Sequence, residues 1–289
     1  MKGIILAAGL GTRLSPATVP ISKILLPVFD RPMIYYPLSV LMMADIKDIL
    51  VITNERDSEI FKRLLGDGSQ FGIKIEYMIQ FVQRGISDAF LIAKDWIAGE
   101  RVALILGDNI FYSEKFESSI KEAITTESGA IIFGYKVSDP ERFGIVEFDD
   151  DMKVISLEEK PHNPKSNYAV VGLYFYNDQV CDIAKTLKPS SRGELEITDL
   201  NIEYMNKGDL SAFIIDNDTE WIDAGTFDSI LESSLFISNL EKKLGKKVMC
   251  PELLAFEKKY ISRNDLIQWI SSNGDSDYYN AIRKEIGIR

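Results

Sequence analysis

Two stretches of the chain carry residue types and spacings suited to phosphate chemistry. The first is Leu6-Ala7-Ala8-Gly9-Leu10-Gly11-Thr12-Arg13-Leu14, directly behind the apolar run Gly3-Ile4-Ile5-Leu6. Glycines there let main-chain N–H groups approach an anion, and a helix starting next would add its dipole. Leu14 stands where a dinucleotide fingerprint needs its third glycine, and the Gly-Lys-Ser/Thr of a P-loop is missing, so a simple tight turn stays open. Arg13 and Lys23 bracket a loop with Pro16 and Pro20. A planar fork and a point charge beside an amide cradle suit a polyphosphate, although two solvated cations would give the same pattern. The second stretch is Leu104-Ile105-Leu106-Gly107-Asp108-Asn109. An acid at the carboxyl end of a buried strand lies where open α/β sheets take ligands, and Asp followed by Asn suits Mg²⁺ carried on phosphates. The alternative is an Asp that caps the next helix.

Asp223, within Trp221-Ile222-Asp223-Ala224-Gly225-Thr226, is a second acid behind a short apolar segment. Sequence leaves open whether it meets Asp108 or caps the helix starting near Thr226. Glu158-Glu159-Lys160-Pro161 and Arg192-Gly193-Glu194-Leu195-Glu196 are charged loops that read equally as solvated surface. Composition narrows the chemistry. His162 is the single histidine, and Cys181 and Cys250 are isolated, which excludes a Ser-His-Asp hydrolase and a multi-histidine or zinc-cysteine centre. Both thiols read as reduced and buried. What remains is carboxylates, Lys, Arg and backbone amides. With 33 Lys and Arg against 44 Asp and Glu, the net charge of −11 speaks against a nucleic-acid coat or an anionic membrane partner. No apolar run is long enough to span a bilayer, and the N-terminal run is too short for a signal peptide, so a cytoplasmic setting is expected.

The elements that must position these residues follow from periodicity. Apolar runs at 3–6, 49–52, 74–79, 102–106 and 130–133 alternate with helical spacings at 33–44, 60–65, 87–96 and 116–125. Continuous apolar strands alternating with helices predict a mostly parallel, Rossmann-like mixed sheet covered by helices on both faces. From about Gly144 the pattern changes: strands at 145–148, 154–157 and 169–176, with Asp149-Asp150-Asp151 as a tight turn, predict an inserted hairpin-bearing segment. Helices at 179–186 and 197–206 and a strand at 210–215 follow. Beyond Thr226 the chain turns helical: Phe227, Ile230, Leu231, Leu235, Ile237, Leu240 and Leu244 keep three-to-four spacing up to Gly245. Ser262 with Asp265 opens another helix, and 278–286 forms a last one. The division expected is a domain over 1–226, with parts at about 1–143 and 144–226, and a helical segment over 227–289.

Taken in order along the chain, these segments resemble the sugar-1-phosphate nucleotidylyltransferases, most closely their tetrameric bacterial thymidylyl-transferring branch. The resemblance is carried by Lys2 to Arg13, Ser22-Lys23, Leu25-Leu26-Pro27, Arg31 to Ser39, Leu65 to Ser69, Leu106 to Tyr112, Asp139 to Gly144, Leu157 to Pro161, Pro164 to Val170, Arg192 to Asp199 and Cys250-Pro251-Glu252. It implies transfer of a nucleotidyl group, dTTP and glucose-1-phosphate being the first expectation, in nucleotide-sugar biosynthesis. It also implies a role for each matching residue. Leu6, Ala8, Gly9, Gly11, Thr12 and Arg13 would hold the nucleotide and its phosphates, and Lys23 would reach the triphosphate. Gln80 and Gly85 would face the base. Asp108 and Asp223 would hold Mg²⁺. Asn109, main-chain atoms at Gly144 and Val170, and the Glu159 carboxylate would bind the sugar. Lys160 and Arg192 would take its phosphate. A homotetramer with a second, regulatory nucleotide-sugar site near the C-terminal helices is implied too.

The chain departs from the family's usual pattern at Ala8 (usually Gly), Ile24 (Gln), Ala224 (Thr) and Phe227 (His). It also reads Gln80-Phe81-Val82-Gln83-Arg84-Gly85-Ile86-Ser87-Asp88-Ala89 where a Pro-rich segment and Gly-Leu-Ala-Gln-Ala are usual around the base. Three alternatives stay open on the residues themselves. The same reaction could use UTP or another sugar phosphate. A glycosyltransferase is disfavoured because no Asp-x-Asp follows the central strand. A non-catalytic nucleotide-sugar-binding regulator would be marked by loss of Arg13, Lys23 or Asp108, all of which are present.

Overall fold

The computed structural model describes residues 1–216 and 218–288. Along the chain, β1 (Lys2–Ala7) leads through a loop to a short hairpin, β2 (Pro27–Val28) and β3 (Arg31–Pro32), and to α1 (Tyr35–Met43). β4 (Asp48–Thr53), α2 (Ser58–Leu65), β5 (Lys74–Ile79), α3 (Asp88–Ile92), α4 (Lys94–Ile97) and β6 (Val102–Leu106) follow. Next come β7 (Asn109–Tyr112), α5 (Phe116–Ile124), β8 (Ala130–Lys136), β9 (Gly144–Phe148), β10 (Val154–Glu159) and β11 (Tyr168–Tyr176). α6 (Val180–Thr186), α7 (Ile197–Asn206), β12 (Leu210–Ile214) and β13 (Glu220–Asp223) precede four helices: α8 (Phe227–Leu244), α9 (Pro251–Glu257), α10 (Arg263–Ser272) and α11 (Asp277–Glu285).

Nine strands form one mixed sheet in the order β10-β9-β11-β6-β1-β4-β5, with β8 beside β11 and β12 beside β8. The β6-β1-β4-β5 half is parallel, as continuous apolar runs require, whereas β11 runs antiparallel to β6, β8 and β9. Successive side chains of a strand point to opposite faces. Accordingly Ile5, Val51 and Ile105 join one core with α1 and the C-terminal helices, and Ile4, Leu50 and Leu104 join another with α3, α6 and α7. Val102, Leu104 and Ile105 are fully buried, and each such side chain contributes roughly 1.5–3 kcal/mol. The expected hairpin is β9–β10, closed by the Asp149 side chain accepting from the amides of Asp151 and Lys153 at 3.0 and 2.9 Å.

The structure differs from the sequence reading in several places and settles one alternative that the sequence left open. The helix expected over 87–96 breaks at Ala93 into α3 and α4. The Gly-rich loop is followed by a single 3-10 turn, Thr12–Leu14, so no helix dipole stands behind it. α9 carried no sequence expectation, and neither did the two-stranded ribbon of β7 and β13. Thr226, not Asp223, caps α8, with Ser229 completing a capping box, and Gly245 ends it in the left-handed conformation.

A buried ionic cluster fastens the C-terminal helices to the sheet domain. Arg31, on β3, pairs with Glu241 of α8 and with Asp30, donates to the Val248 carbonyl at 2.5 Å, and lies over the rings of Tyr36 and Tyr278. Lys247 joins the same Glu241 at 2.7 Å and also Asp30. Removing one member of a buried pair strands its partner's charge. Glu241→Ala is therefore expected to lower unfolding free energy by about 3–5 kcal/mol, read as a lower urea midpoint at unchanged slope.

Candidate active site

The site lies along the carboxyl ends of the parallel strands. The loop after β1 runs beside the loop after β6, because the ladder pairs Leu6 with Leu106 and the Gly107 amide donates to Leu6 O at 3.0 Å. Among the described residues, the main-chain N–H groups of Gly9, Leu10 and Gly11 donate to no protein atom, which leaves them open to an anion. Arg13 stands exposed beside them and makes no ion pair among the described residues. Lys23, set in a 3-10 turn capped by Ser22, pairs with the Asp108 carboxylate.

β7 and β13 bring the two acids together. Their register pairs Asp223 with Asn109, and the Ala224 amide donates to Asp108 O at 2.9 Å. Burial and the Asp108 charge push the Asp223 carboxyl well above the ordinary carboxylate range, against the opposing pull of Lys23, Arg13 and Arg142. Burial also raises Asp108, but Lys23 and the Asn109 amide more than offset it, so its pKa ends below the usual value. Two half-buried carboxylates with one closely paired lysine form a site short of positive charge. Mg²⁺ takes one or two protein carboxylates and fills its remaining positions with substrate oxygens and water, so the donor set fits that ion. Among the described residues no group of three or more His, Cys, Asp or Glu could hold a metal by itself.

A crevice of about 490 Å³ opens from these acids toward the hairpin segment. It collects nine of the sequence candidates: Arg13, Asp108, Asn109, Gly144, Glu159, Lys160, Val170, Arg192 and Asp223. Glu159 is already engaged: Thr198 donates to it at 2.6 Å, and Lys160 and Arg192 both lie 3.2 Å away. Arg192 also forks onto Glu196 at 2.9 Å. Lys160 holds a positive φ of 45°, a strained backbone that its amide bond to Phe143 O at 2.9 Å helps to fix. Leu6, Ala8, Gly9, Gly11 and Thr12 lie next door on the β1 loop. Gln80 and Gly85 lie outside this crevice, in a loop joined to the β1 loop by Gln83 Nε2 donating to Ala8 O at 3.0 Å. His162 is exposed, and Cys181 and Cys250 are buried free thiols, as their isolation implied.

Sequence reasoning passed over Arg142, Gly172, Tyr174, Thr198 and Trp221, all in the crevice wall. A signal existed for three of them. Trp221 is two residues from Asp223, and Gly172 and Tyr174 are two and four from Val170, so a strand's period puts each on the same face as its named neighbour. Trp221 Nε1 and the Gly172 amide both donate to Asn109 Oδ1, at 2.7 and 3.0 Å, which locks the residue after Asp108. A β-carbon at 172 would come within 2.7 Å of Leu106 and 2.8 Å of Asn109, so the close approach demands glycine.

The model of the family described as "Nucleotidyl transferase" matches residues 2–239. The chain belongs to that family. It is 52% identical over 266 residues to a glucose-1-phosphate thymidylyltransferase of Mycolicibacterium smegmatis, covering 92% of each chain. To the enzyme of the same name from Neisseria gonorrhoeae it is 50% identical over 266 residues, again 92% of each. A solved structure from Bacillus anthracis superimposes with a TM-score of 0.76 at 41% identity, covering 82% of this chain and 94% of that one. The fold is thus the Rossmann-like mixed sheet of nucleotidyl transferases, and the chain is an enzyme of that class. Because Asp223→Asn removes a like charge from beside Asp108, it should leave metal-free stability unchanged or raised. The same change should weaken the stabilisation that Mg²⁺ confers by about tenfold or more in midpoint. Thermal melts over a Mg²⁺ series check both signs.

Proposed function

We propose that this chain joins glucose-1-phosphate to dTTP, forming dTDP-glucose and releasing pyrophosphate. The observation that carries the reading is the meeting of Lys23, Asp108 and Asp223 at the rim of a crevice whose far wall bears Lys160 and Arg192. Relatives at 50% and 52% identity bearing the corresponding name support the choice of substrates. An oxygen of the sugar phosphate attacks the α-phosphorus in line; the bond to the bridging oxygen breaks, and pyrophosphate leaves with that electron pair. The nucleophile is already an anion at neutral pH, so no general base is required. The protein's task is to bring two repelling anions together and to offset charge as it builds on the phosphate oxygens.

Each wall takes one partner in this reading. Arg13, Lys23 and the open amides of Gly9 to Gly11 hold the triphosphate, with Leu6, Ala8 and Thr12 shaping the loop. Gln80 and Gly85 meet the base. Asp108 and Asp223 hold Mg²⁺, which supplies positive charge to the phosphate oxygens when bound. Lys160 and Arg192 exchange Glu159 for the sugar phosphate, a stronger anion, which frees the Glu159 oxygens for sugar hydroxyls beside Asn109 and the backbone at Gly144 and Val170. Residues 1–143 thus serve the nucleotide, 144–226 the sugar phosphate, and 227–289 packing, subunit contact or regulation, in a cytoplasmic enzyme of dTDP-sugar biosynthesis. Among the described residues no helix is long and apolar enough to cross a membrane.

A homotetramer also belongs to this reading. Phe227, Leu231 and Leu235 lie at successive turns of α8 with 51%, 60% and 54% of their surface exposed, an apolar stripe that a second copy of the chain would cover. Lys23→Ala should lower turnover by about 10²-fold or more, as deletion of a group stabilising transition-state charge does; pyrophosphate release from dTTP and glucose-1-phosphate measures it, and near-normal turnover would reject the assignment. The paired change Leu231→Lys and Leu235→Lys should convert the assembly to smaller species in sedimentation velocity.

A further inference from the structure

We propose that Arg56 is a positioning residue for the triphosphate. It braces the far side of the loop between Arg13 and Lys23, so that the open amides of Gly9 to Gly11 and both cations meet a polyphosphate already in place. Arg56 itself lies outside the crevice. The inference rests on the nucleotidyltransferase reading above and adds to it how the phosphate-binding loop is kept in shape.

A carboxylate at a helix start is ordinarily spent on the helix's own first amides. Asp57, at the start of α2, is not: no helix amide donates to its side chain, although the residue is wholly buried. Its bonds run back along the chain. Asn54 Nδ2 donates to Asp57 Oδ2 at 2.8 Å, and Asn54 Oδ1 accepts from the Asp57 amide at 2.9 Å. Arg56 lays its Nε and Nη2 on Oδ1 and Oδ2 at 3.0 and 2.8 Å, the paired fork of a guanidinium on a carboxylate. With that edge held, Nη1 is left for other partners. It donates to Val19 O at 2.8 Å and lies 3.3 Å from Thr18 O. One buried carboxylate on the β4–α2 turn thus aims an exposed cation at two carbonyls of the loop between Arg13 and Lys23.

That loop has little else to hold it. Residues 15–21 belong to no helix or strand, and among the described residues Arg56 is the only one from beyond the loop that hydrogen-bonds to them. Their other bonds are local, such as the Thr18 amide to Leu14 O at 3.3 Å and the Val19 amide to Pro16 O at 3.1 Å. Thr18 carries the constraint to the site. It is 4% exposed, and its hydroxyl donates to Gly11 O at 2.8 Å. Gly11 has a φ of +63°, and a β-carbon there would stand 3.0 Å from the Thr18 methyl and 3.2 Å from Lys23 Cβ. Gly11, Thr18 and Lys23 therefore meet at one point. Holding Thr18 holds the last of the open amides and the root of the lysine that pairs with Asp108. A loop so fixed has less freedom to lose when a polyphosphate arrives.

The test is Arg56→Met, which keeps an apolar stem and removes the donors, read in two ways. In pyrophosphate release at saturating Mg²⁺, the KM for dTTP should rise about tenfold, while the KM for glucose-1-phosphate stays within about twofold. In the substrate-free protein, amide hydrogen exchange of peptides covering 11–23 should quicken about threefold or more, with those covering β4 and β6 unchanged. A general loss of stability would quicken exchange throughout and would not separate the two substrates. Equal rises in both KM values, an unchanged KM for dTTP, or unaltered exchange over 11–23 each overturn the proposal. Should Arg56→Met fail to fold by near-ultraviolet circular dichroism, Thr18→Val, which removes the hydroxyl that reaches Gly11 O, must raise the KM for dTTP alone; an unchanged value there overturns it equally. No pyrophosphate release by the unaltered chain overturns the underlying reading instead, and the exchange comparison then still tests the brace.

Discussion

The site depends on a repulsion that the backbone does not allow to relax. Asp108 and Asp223 are fixed by main-chain pairing: the β7–β13 register sets Asp223 across from Asn109, and the Ala224 amide grips Asp108 O. That ribbon sets where the two acids leave the main chain. Their charges are offset instead, by Lys23 directly and by Arg13 and Arg142 from farther away. In a chain of net charge −11, positive potential at this rim is a local product of these few side chains. Asn109 carries a matching constraint. Its side chain donates to Asp108 and accepts from Trp221 and Gly172, so one buried amide joins the turn after β6 to β11 and β13 at the acids.

β11 makes a crevice out of what would otherwise be an open sheet edge. It pairs with β6 of the parallel half and with β8 and β9 of the antiparallel half, and its register shifts between Val170 and Tyr174. Val170, Gly172 and Tyr174 face the crevice from this strand, and Gly144 and Glu159 reach it from the hairpin alongside. Across the opening, the contacts of Leu195 with Arg84 and Ser87 tie the Arg192 segment to the loop after β5. The two walls are therefore one connected structure. A shift of either would be felt at the other.

Much of this was legible in the residues, for identifiable reasons. Buried strands announce themselves by continuous apolar runs, and β4 and β6 coincide with theirs. α8 carried its own cap and stop, Thr226 and Gly245, and so did α10 with Ser262 and Asp265. What escaped was short or relational. β7 and β13 have four residues each, too few for period to speak, and only their pairing explains why acids far apart in the chain meet. α9 is a seven-residue helix started by Pro251 and buried almost throughout, so it lacks a polar face to reveal its period. The engagement of Glu159 by Thr198, Lys160 and Arg192 depends on three separate elements converging, which no local pattern encodes.

The departures from the usual family pattern take on distinct physical meanings once placed. Ile24 is buried and packs against Gly107, so it supports the loop bearing Asp108 with apolar contact; a glutamine there would need a hydrogen-bond partner. Ala224 is fully buried behind the ribbon, and its contribution runs through its backbone amide. Phe227 stands half exposed at the first turn of α8, in line with Leu231 and Leu235, so it belongs to the outer stripe of that helix. Asp88 is buried and accepts from the Gln80 amide at 3.0 Å. Sequence treats the four as one set of differences. The fold separates them into a support beneath a loop, a backbone tie, an outer apolar stripe and a buried hydrogen-bond partner of Gln80.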